Sequence, residues 1–343
     1  MHEKKQVLIK KGLCITAMML AVCSVGSLLT SCNLKKEEAA GATYPPLVLG
    51  GTPSAGGEVD EIETDGPGGK PVETPVATEA PVLPAFDEID FSFSGNEYCL
   101  ADAVTGEIYM SHNADKQTYI ASITKLLTGL TALDYFSPDQ EITVKSEWLE
   151  LMRTDSDIDG FGIKAGETYT VEDYLKMLII KSYGDAALVL QYATAEVAGI
   201  DFLELMNRKA KAMGMKDSHF DNPIGLDTGN GFHNNYSTAE DVVKLMVAAY
   251  KNPVLFDACC MRSAVVSNGK KLVSTVPIYG DKYQSDVYEV LGGKTGSTNA
   301  SGVSYTCVAA DSDTDRKYIV VYLNGHSSTD MYNEIAYLLN QIC

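Results

Sequence analysis

Apolar positions along the chain fall into three regimes. From Leu13 to Leu29 they form an almost unbroken run behind Lys4, Lys5, Lys10 and Lys11. Between residues 33 and 85 they thin out among prolines, glycines and acids, and from Phe86 onward they return with the periods of helices and strands. There, alternation predicts strands over Glu97–Ala103 and Glu107–Met110 around a turn at Thr105-Gly106. Spacings of three and four predict helices over Ser122–Leu133, Val171–Ile180, Asp185–Val197, Asp201–Met213 and Thr238–Tyr250. Strands return over Val287–Thr295, Val303–Ala309 and Tyr318–Leu323, and an amphipathic helix over Asp330–Gln341 closes the chain. Strands from both ends with helices between imply an α+β fold: an antiparallel sheet built from both termini, flanked by helices, with a helical lobe inserted.

The first two regimes read as export and tethering. A basic start, an apolar core and Leu29-Thr30-Ser31-Cys32 describe a secretory signal over residues 1–31. This segment resembles a bacterial lipoprotein signal. The resemblance implies a lipid on Cys32 and a mature chain anchored to the outer face of the bacterial cell membrane. An uncleaved signal anchor is the alternative. Residues 32–85 form the expected anchored tether: Asn33 to Ala85 hold eight of the twelve prolines, eight glycines and nine acids. Such a stretch buries too little apolar surface to offset its ordering entropy, and flexible-chain scaling gives it a reach of about 40 Å. Residues 86–343 then make one folded domain, with no internal repeat and no second linker.

Charge removes one class of partner. The formal net charge is −19, and −16 of it lies in the domain, which argues against nucleic acid. The five histidines show no HExxH and no pair at ligand spacing, so no metal is expected, and no cofactor is implied. Beyond Cys32 there are five cysteines, an odd number in a large domain, which is no disulfide framework. Adjacent Cys259 and Cys260 read as small buried residues.

Candidate chemistry starts at Ser122-Ile-Thr-Lys125. On a helix, positions i and i+3 share a face, so Lys125 can reach the Ser122 hydroxyl. Ser267-Asn-Gly-Lys270 has the same spacing, but its Asn-Gly marks an exposed hairpin turn with no helix to align the lysine. Downstream, Lys294-Thr295-Gly296-Ser297 ends a strand-like run. On an edge strand it sets an ammonium and a hydroxyl beside a glycine that admits a substrate backbone. Between them, Lys181-Ser182-Tyr183-Gly184-Asp185 brings a second serine to a helix–helix turn, where Ser182 can also serve as an N-cap. Ser237-Thr-Ala-Glu240 reads as a capping box. Trp148 and the tyrosines are open candidates for lining a cleft, His219 and His233 read as surface residues, and Arg153 and Arg262 have no assigned place.

With these three motifs in order, the chain resembles the serine D-alanyl-D-alanine carboxypeptidases, the low-molecular-weight penicillin-binding proteins. Asp102-Ala-Val-Thr-Gly-Glu-Ile-Tyr109, Phe220-Asp-Asn-Pro-Ile-Gly-Leu226 and Tyr236-Ser-Thr-Ala-Glu-Asp241 extend the likeness over about Tyr98 to the C-terminus. The resemblance implies a Ser122 nucleophile, Lys125 as its base, and Ser182 with Lys125 returning a proton to the leaving D-alanine. It also implies an oxyanion hole from the Ser122 and Ser297 N–H groups, and Lys294 and Thr295 on the substrate carboxylate. Expected partners are the peptidoglycan pentapeptide and β-lactams, and the expected assembly is a monomer. One position departs: the family's Ser-x-Asn is Ser182-Tyr183-Gly184, with no side-chain amide. A loop over Asp227–Asn235 also looks longer than the family pattern. Two other readings follow: a slow or non-catalytic penicillin- and peptidoglycan-binding lipoprotein, and a class A β-lactamase-like hydrolase, for which Asp221 is the nearest substitute for the deacylating glutamate.

Overall fold

Both ends of the folded segment enter one sheet. The computed structural model describes residues 93–152, 159–227, 235–314 and 316–343, so the signal, Cys32, the tether, Arg153, His233 and most of the loop after Asp227 lie outside the described residues. Strands β1 (Glu97–Asp102) and β2 (Ile108–His112) form a hairpin through a turn in which Gly106 takes φ +76. Helix α1 (Thr124–Ala132) follows a single 3-10 turn at Ala121–Ile123. Short strands β3 (Glu141–Thr143) and β4 (Thr168–Thr170) pair around α2 (Ser146–Met152). Helices α3 (Val171–Ile180), α4 (Gly184–Ala198), α5 (Phe202–Ala212), α6 (Ala239–Lys251) and α7 (Pro253–Cys260) complete the lobe. A small hairpin, β5 (Ser263–Val265) and β6 (Lys271–Val273), leads to β7 (Tyr288–Thr298), β8 (Gly302–Asp311), β9 (Lys317–Gly325) and the closing α8 (Ser328–Ile342). The main sheet runs β2-β1-β9-β8-β7 with antiparallel neighbours, so β7 is an edge strand.

Strand β9 explains the layering. Its run Tyr318-Ile-Val-Val-Tyr-Leu323 is apolar at every position, which only a sheet covered on both faces can bury. Ile319, Val321 and Leu323 join the core shared with the helical lobe. Tyr318, Val320 and Tyr322 join the core under α8. Helix α8 supplies Met331, Tyr332, Ile335, Leu338, Leu339 and Ile342 at spacings of one face, and Ser327 Oγ caps it by accepting from Asp330 N.

Several expectations need correction. Trp148 does not line a cleft: it is buried in the lobe, donates to Glu196 and stacks on Tyr192. Thr238, not Ser237, caps α6, accepting from Asp241 N at 3.1 Å, while Ser237 Oγ meets Ser218 Oγ. Arg262 stacks 3.6 Å over the Tyr279 ring and donates to the carbonyls of Cys260, Val290 and Leu291, tying α7 to β7. Cys259 is buried and Cys260 half-buried, and the five described cysteines are free thiols.

Candidate active site

Ser122 lies in the 3-10 turn ahead of α1, where Ala121 is forced to φ +46. A non-glycine residue there costs about 1–2 kcal/mol, so neighbouring structure must hold it. Two glycines do so. A Cβ on Gly225 would overlap the Ala121 carbonyl and fall 2.9 Å from Ser122 N; one on Gly296 would fall 2.6 Å from Ile120 O and 3.2 Å from Ala121 Cβ. The Ser122 turn is therefore gripped between the 220–227 loop and the edge strand β7. The contact with Ile120 and Ala121 leaves no room for a side chain at Gly296.

One helical turn on, Lys125 is 1% exposed, and its Nζ donates to Ser122 Oγ at 2.8 Å and to Ile224 O at 2.7 Å. The carbonyl is aimed by the loop it belongs to. Asn222 Oδ1 accepts from the N–H groups of Ile224, Gly225 and Leu226. Buried Asn235 accepts from Asp221 N and Asn222 N, and donates to Thr124 Oγ1 at the start of α1. Thr128 Oγ1 donates to Pro223 O. Asn222, Asn235 and Ile224 were not singled out from sequence; the signal lay in Asn-Pro-Ile-Gly, a turn with an Asx residue before a proline. Asp221 Oδ1 accepts from His219 Nε2 at 2.9 Å.

The second serine has left-handed backbone, φ +60, and its hydroxyl accepts from Lys294 Nζ at 3.1 Å. Lys294 is 2% exposed and also donates to Thr295 O. Ser182 is thus partnered by Lys294; Lys125 makes no hydrogen bond to it among the described residues. Nor does Ser182 cap α4, whose N-cap is Tyr183 without a side-chain bond. Beside Lys294 a cavity of about 70 Å³ is lined by Lys181, Ser182, Ser274, Thr275 and Tyr279.

Burial governs the electrostatics. Desolvation, then the Lys294 ammonium, holds the Lys125 amine well below its usual range, and Asp159 works in the opposite direction. Desolvation brings Lys294 down to about 8, with Cys259 opposing. Both shifts follow from placing cations where water cannot reach. At the cleft rim, Asp227 accepts from Thr298 Oγ1, and burial pushes its carboxyl up. In the decoy motif Ser267 is exposed at the β5–β6 turn, where Gly269 takes φ +85, and Lys270 donates to Phe161 O at 2.9 Å.

The departure at position 184 also has a structure. Gly184 N donates to Asp159 O at 2.7 Å, so the 159–163 segment lies on the Ser182-Tyr183-Gly184 turn. Asp185 fixes that segment: its carboxylate accepts from the N–H groups of Phe161, Gly162 and Ile163 as well as from Ala186. Asp159 and Asp185 too were not singled out from sequence, because nothing local tells which N–H groups a carboxylate will collect.

A model of the family described as D-alanyl-D-alanine carboxypeptidase matches residues 85–327. The D-alanyl-D-alanine carboxypeptidase DacB2 of Mycobacterium tuberculosis is 29% identical over 216 residues, covering 62% of this chain and 69% of that protein. DacD of Escherichia coli, a D-alanyl-D-alanine carboxypeptidase, is 29% identical over 250 residues, covering 71% of this chain and 61% of its own length. Penicillin-binding protein 6B of Escherichia coli superposes with TM-score 0.61 at 27% identity, covering 73% of this chain and 77% of that one. Penicillin-binding protein D2 of Listeria monocytogenes, solved in an ampicillin-bound form, shares the fold at TM-score 0.60 and 24% identity, covering 73% and 98%.

Proposed function

The chain belongs to the D-alanyl-D-alanine carboxypeptidase family, and from that premise we propose that it removes the terminal D-alanine of peptidoglycan stem peptides through an acyl-enzyme on Ser122. The observation that carries the proposal is the buried Lys125 amine, 2.8 Å from Ser122 Oγ. A serine hydroxyl is a weak nucleophile until a base takes its proton, and burial beside a second cation favours the neutral Lys125 amine that can do so. Ser122 Oγ bonds to the carbonyl carbon of the penultimate D-alanine as Lys125 takes its proton. The oxyanion forms against the Ser122 and Ser297 N–H groups, preorganised donors that cost no reorientation. Collapse breaks the C–N bond as Ser182 passes its proton to the departing amine and takes one from the Lys294 ammonium that donates to it. Water then attacks the ester, giving its proton back to Lys294 through Ser182, and Lys125 returns its proton to Ser122 as the ester bond breaks and the shortened peptide leaves. Lys294 and Thr295 hold the substrate carboxylate beside the cavity.

β-Lactams fit the same reading, since their ring carbonyl presents a strained equivalent of the scissile amide to Ser122. Labelling the protein with a fluorescent penicillin tests it. Ser122→Ala is expected to abolish the label, and equal labelling of the variant would overturn the assignment. We further propose that Cys32 carries a lipid, that residues 32–85 tether the domain, and that it works outside the cell membrane. Cys32→Ala is then expected to release the protein from the membrane fraction.

A further inference from the structure

Ser182 holds a left-handed backbone, φ +60, which a serine keeps only where surrounding structure imposes it. Next along the chain, Tyr183 N donates to Met177 O at 3.2 Å and Gly184 N to Asp159 O at 2.7 Å. Gly184 has no side chain with which to grip the 159–163 segment, so that segment is held from elsewhere. One hold is the Asp185 carboxylate, which collects the N–H groups of Phe161, Gly162 and Ile163. The other comes from Ser267-Asn268-Gly269-Lys270, the motif that the chemistry leaves unused. Lys270 Nζ donates to Phe161 O at 2.9 Å, and it sits 3.9 Å over the Phe161 ring and 5.9 Å over that of Tyr183. The two rings meet edge-on at 5.9 Å. The hairpin tip that carries this lysine is itself fixed: Ser267 N donates to Asp173 Oδ2 in the first turn of α3 at 3.0 Å, and Asn268 Nδ2 to Tyr169 OH at 3.0 Å. Contacts thus run from the start of α3, through the β5–β6 tip, back to the turn that follows the end of α3.

We propose that Lys270 is a positioning residue for Ser182: its ammonium, delivered by the β5–β6 tip, clamps Phe161 and Tyr183 so that the Ser182 hydroxyl stays aimed at the departing amine. The inference rests on the assignment of Ser182 as proton donor above. A cation suits this place, because a carbonyl oxygen and two aromatic faces all present negative charge to it. Its hydrogen bond goes to a backbone carbonyl rather than to a reacting group, so Lys270 acts through the turn and not on the substrate. Without it, the Phe161 carbonyl and the Tyr183 ring lose a common anchor. A small displacement of the proton donor slows the step that needs its proton more than the steps that do not.

The test compares kcat/KM of the full chain for two substrates with the same acyl half. One is a peptide ending in D-alanyl-D-alanine, whose amine leaves only with a proton; the other is a thioester of the same acyl group, whose thiolate leaves without one. Ser182→Ala sets the scale, with the amide-to-thioester ratio expected to fall about a hundredfold. Lys270→Met is expected to lower the same ratio about threefold to tenfold, the size of a lost exposed cation–π contact and its hydrogen bond. Lys270→Arg, which stacks and donates from the same place, is expected to keep the ratio within about twofold of wild type. A wild-type ratio in Lys270→Met, or an equal loss on both substrates as a merely loosened fold would give, overturns the proposal, and the Ser182 reading stands as long as Ser182→Ala separates the substrates. Equal slowing of both by Ser182→Ala overturns both readings, and a wild type that cleaves neither substrate overturns the Ser122 reading with them.

Discussion

Replacing Gly225 by alanine tests how the Ser122 turn is held. Gly225 has φ +86, and its Cβ would overlap the Ala121 carbonyl and sit 2.9 Å from Ser122 N. Forcing a side chain into left-handed backbone costs about 1–2 kcal/mol, and the overlap adds about 1–3 kcal/mol of overpacking. At about 2–4 °C per kcal/mol for a domain of this size, the melting temperature is expected to fall by about 4–20 °C. Activity suffers separately. Relief of the overlap moves the loop, and Ile224 O leaves the Lys125 amine. An unpaired buried donor costs about 1–3 kcal/mol, so acylation is expected to slow about tenfold to a hundredfold. Gly214→Ala is the control, since Gly214 has φ +77 with nothing within 4 Å of the added Cβ. It is expected to pay the backbone cost alone, with acylation unchanged. Thermal melts and penicillin acylation rates of both variants, measured side by side, decide the matter. Equal losses of melting temperature in both, with wild-type acylation in Gly225→Ala, would refute the grip on the turn.

Four further outcomes follow. Burial brings the Lys294 amine down to about 8, so, with Lys294 in the proposed carboxylate-binding role, kcat/KM of the free enzyme is expected to decline above about pH 8; an alkaline limb beyond pH 10, near the ordinary lysine range, contradicts this. Lys294→Met removes a buried cation whose depressed pKa corresponds to about 3 kcal/mol at neutral pH, so it is expected to raise the melting temperature while abolishing turnover. A lower melting temperature would show that the lost bonds to Ser182 and Thr295 outweigh the relief. The same variant takes a like charge away from Lys125, so any penicillin acylation it retains is expected to shift its acidic limb to higher pH. Asp185→Ala removes the acceptor of four N–H groups and is expected to cost about 2–4 kcal/mol of stability by denaturant titration; a loss below about 0.5 kcal/mol, the range of an ordinary surface change, contradicts its role.

Elements with strong periodicity were readable in advance, and α3 begins and ends at the residues its spacing predicts. The three terminal strands each run two or three residues past their predicted C-terminal ends, because sheet pairing continues past the apolar run, while β7 starts one residue later than its predicted start. Helix α7 went unread although Asn252 and Pro253 announce it: Asn252 caps it and Pro253 stands at its first position. Strands β3 to β6 are three residues each, too short for alternation to register. In the site, Ser122 and Lys125 were legible because helical spacing alone brings them together. The Ser182–Lys294 pairing was not, since two residues 112 apart meet only through the fold. Likewise, Gly184 announced a missing amide, but only the backbone bond to Asp159 reveals what lies against that position.

The central claim is that Ser122 opens the terminal D-alanyl-D-alanine bond. Mass spectrometry of a stem pentapeptide incubated with the protein tests it most directly. The account predicts release of a single D-alanine by the wild type and none by Ser122→Ala. A pentapeptide left intact by the wild type, or shortened equally by both, would contradict it.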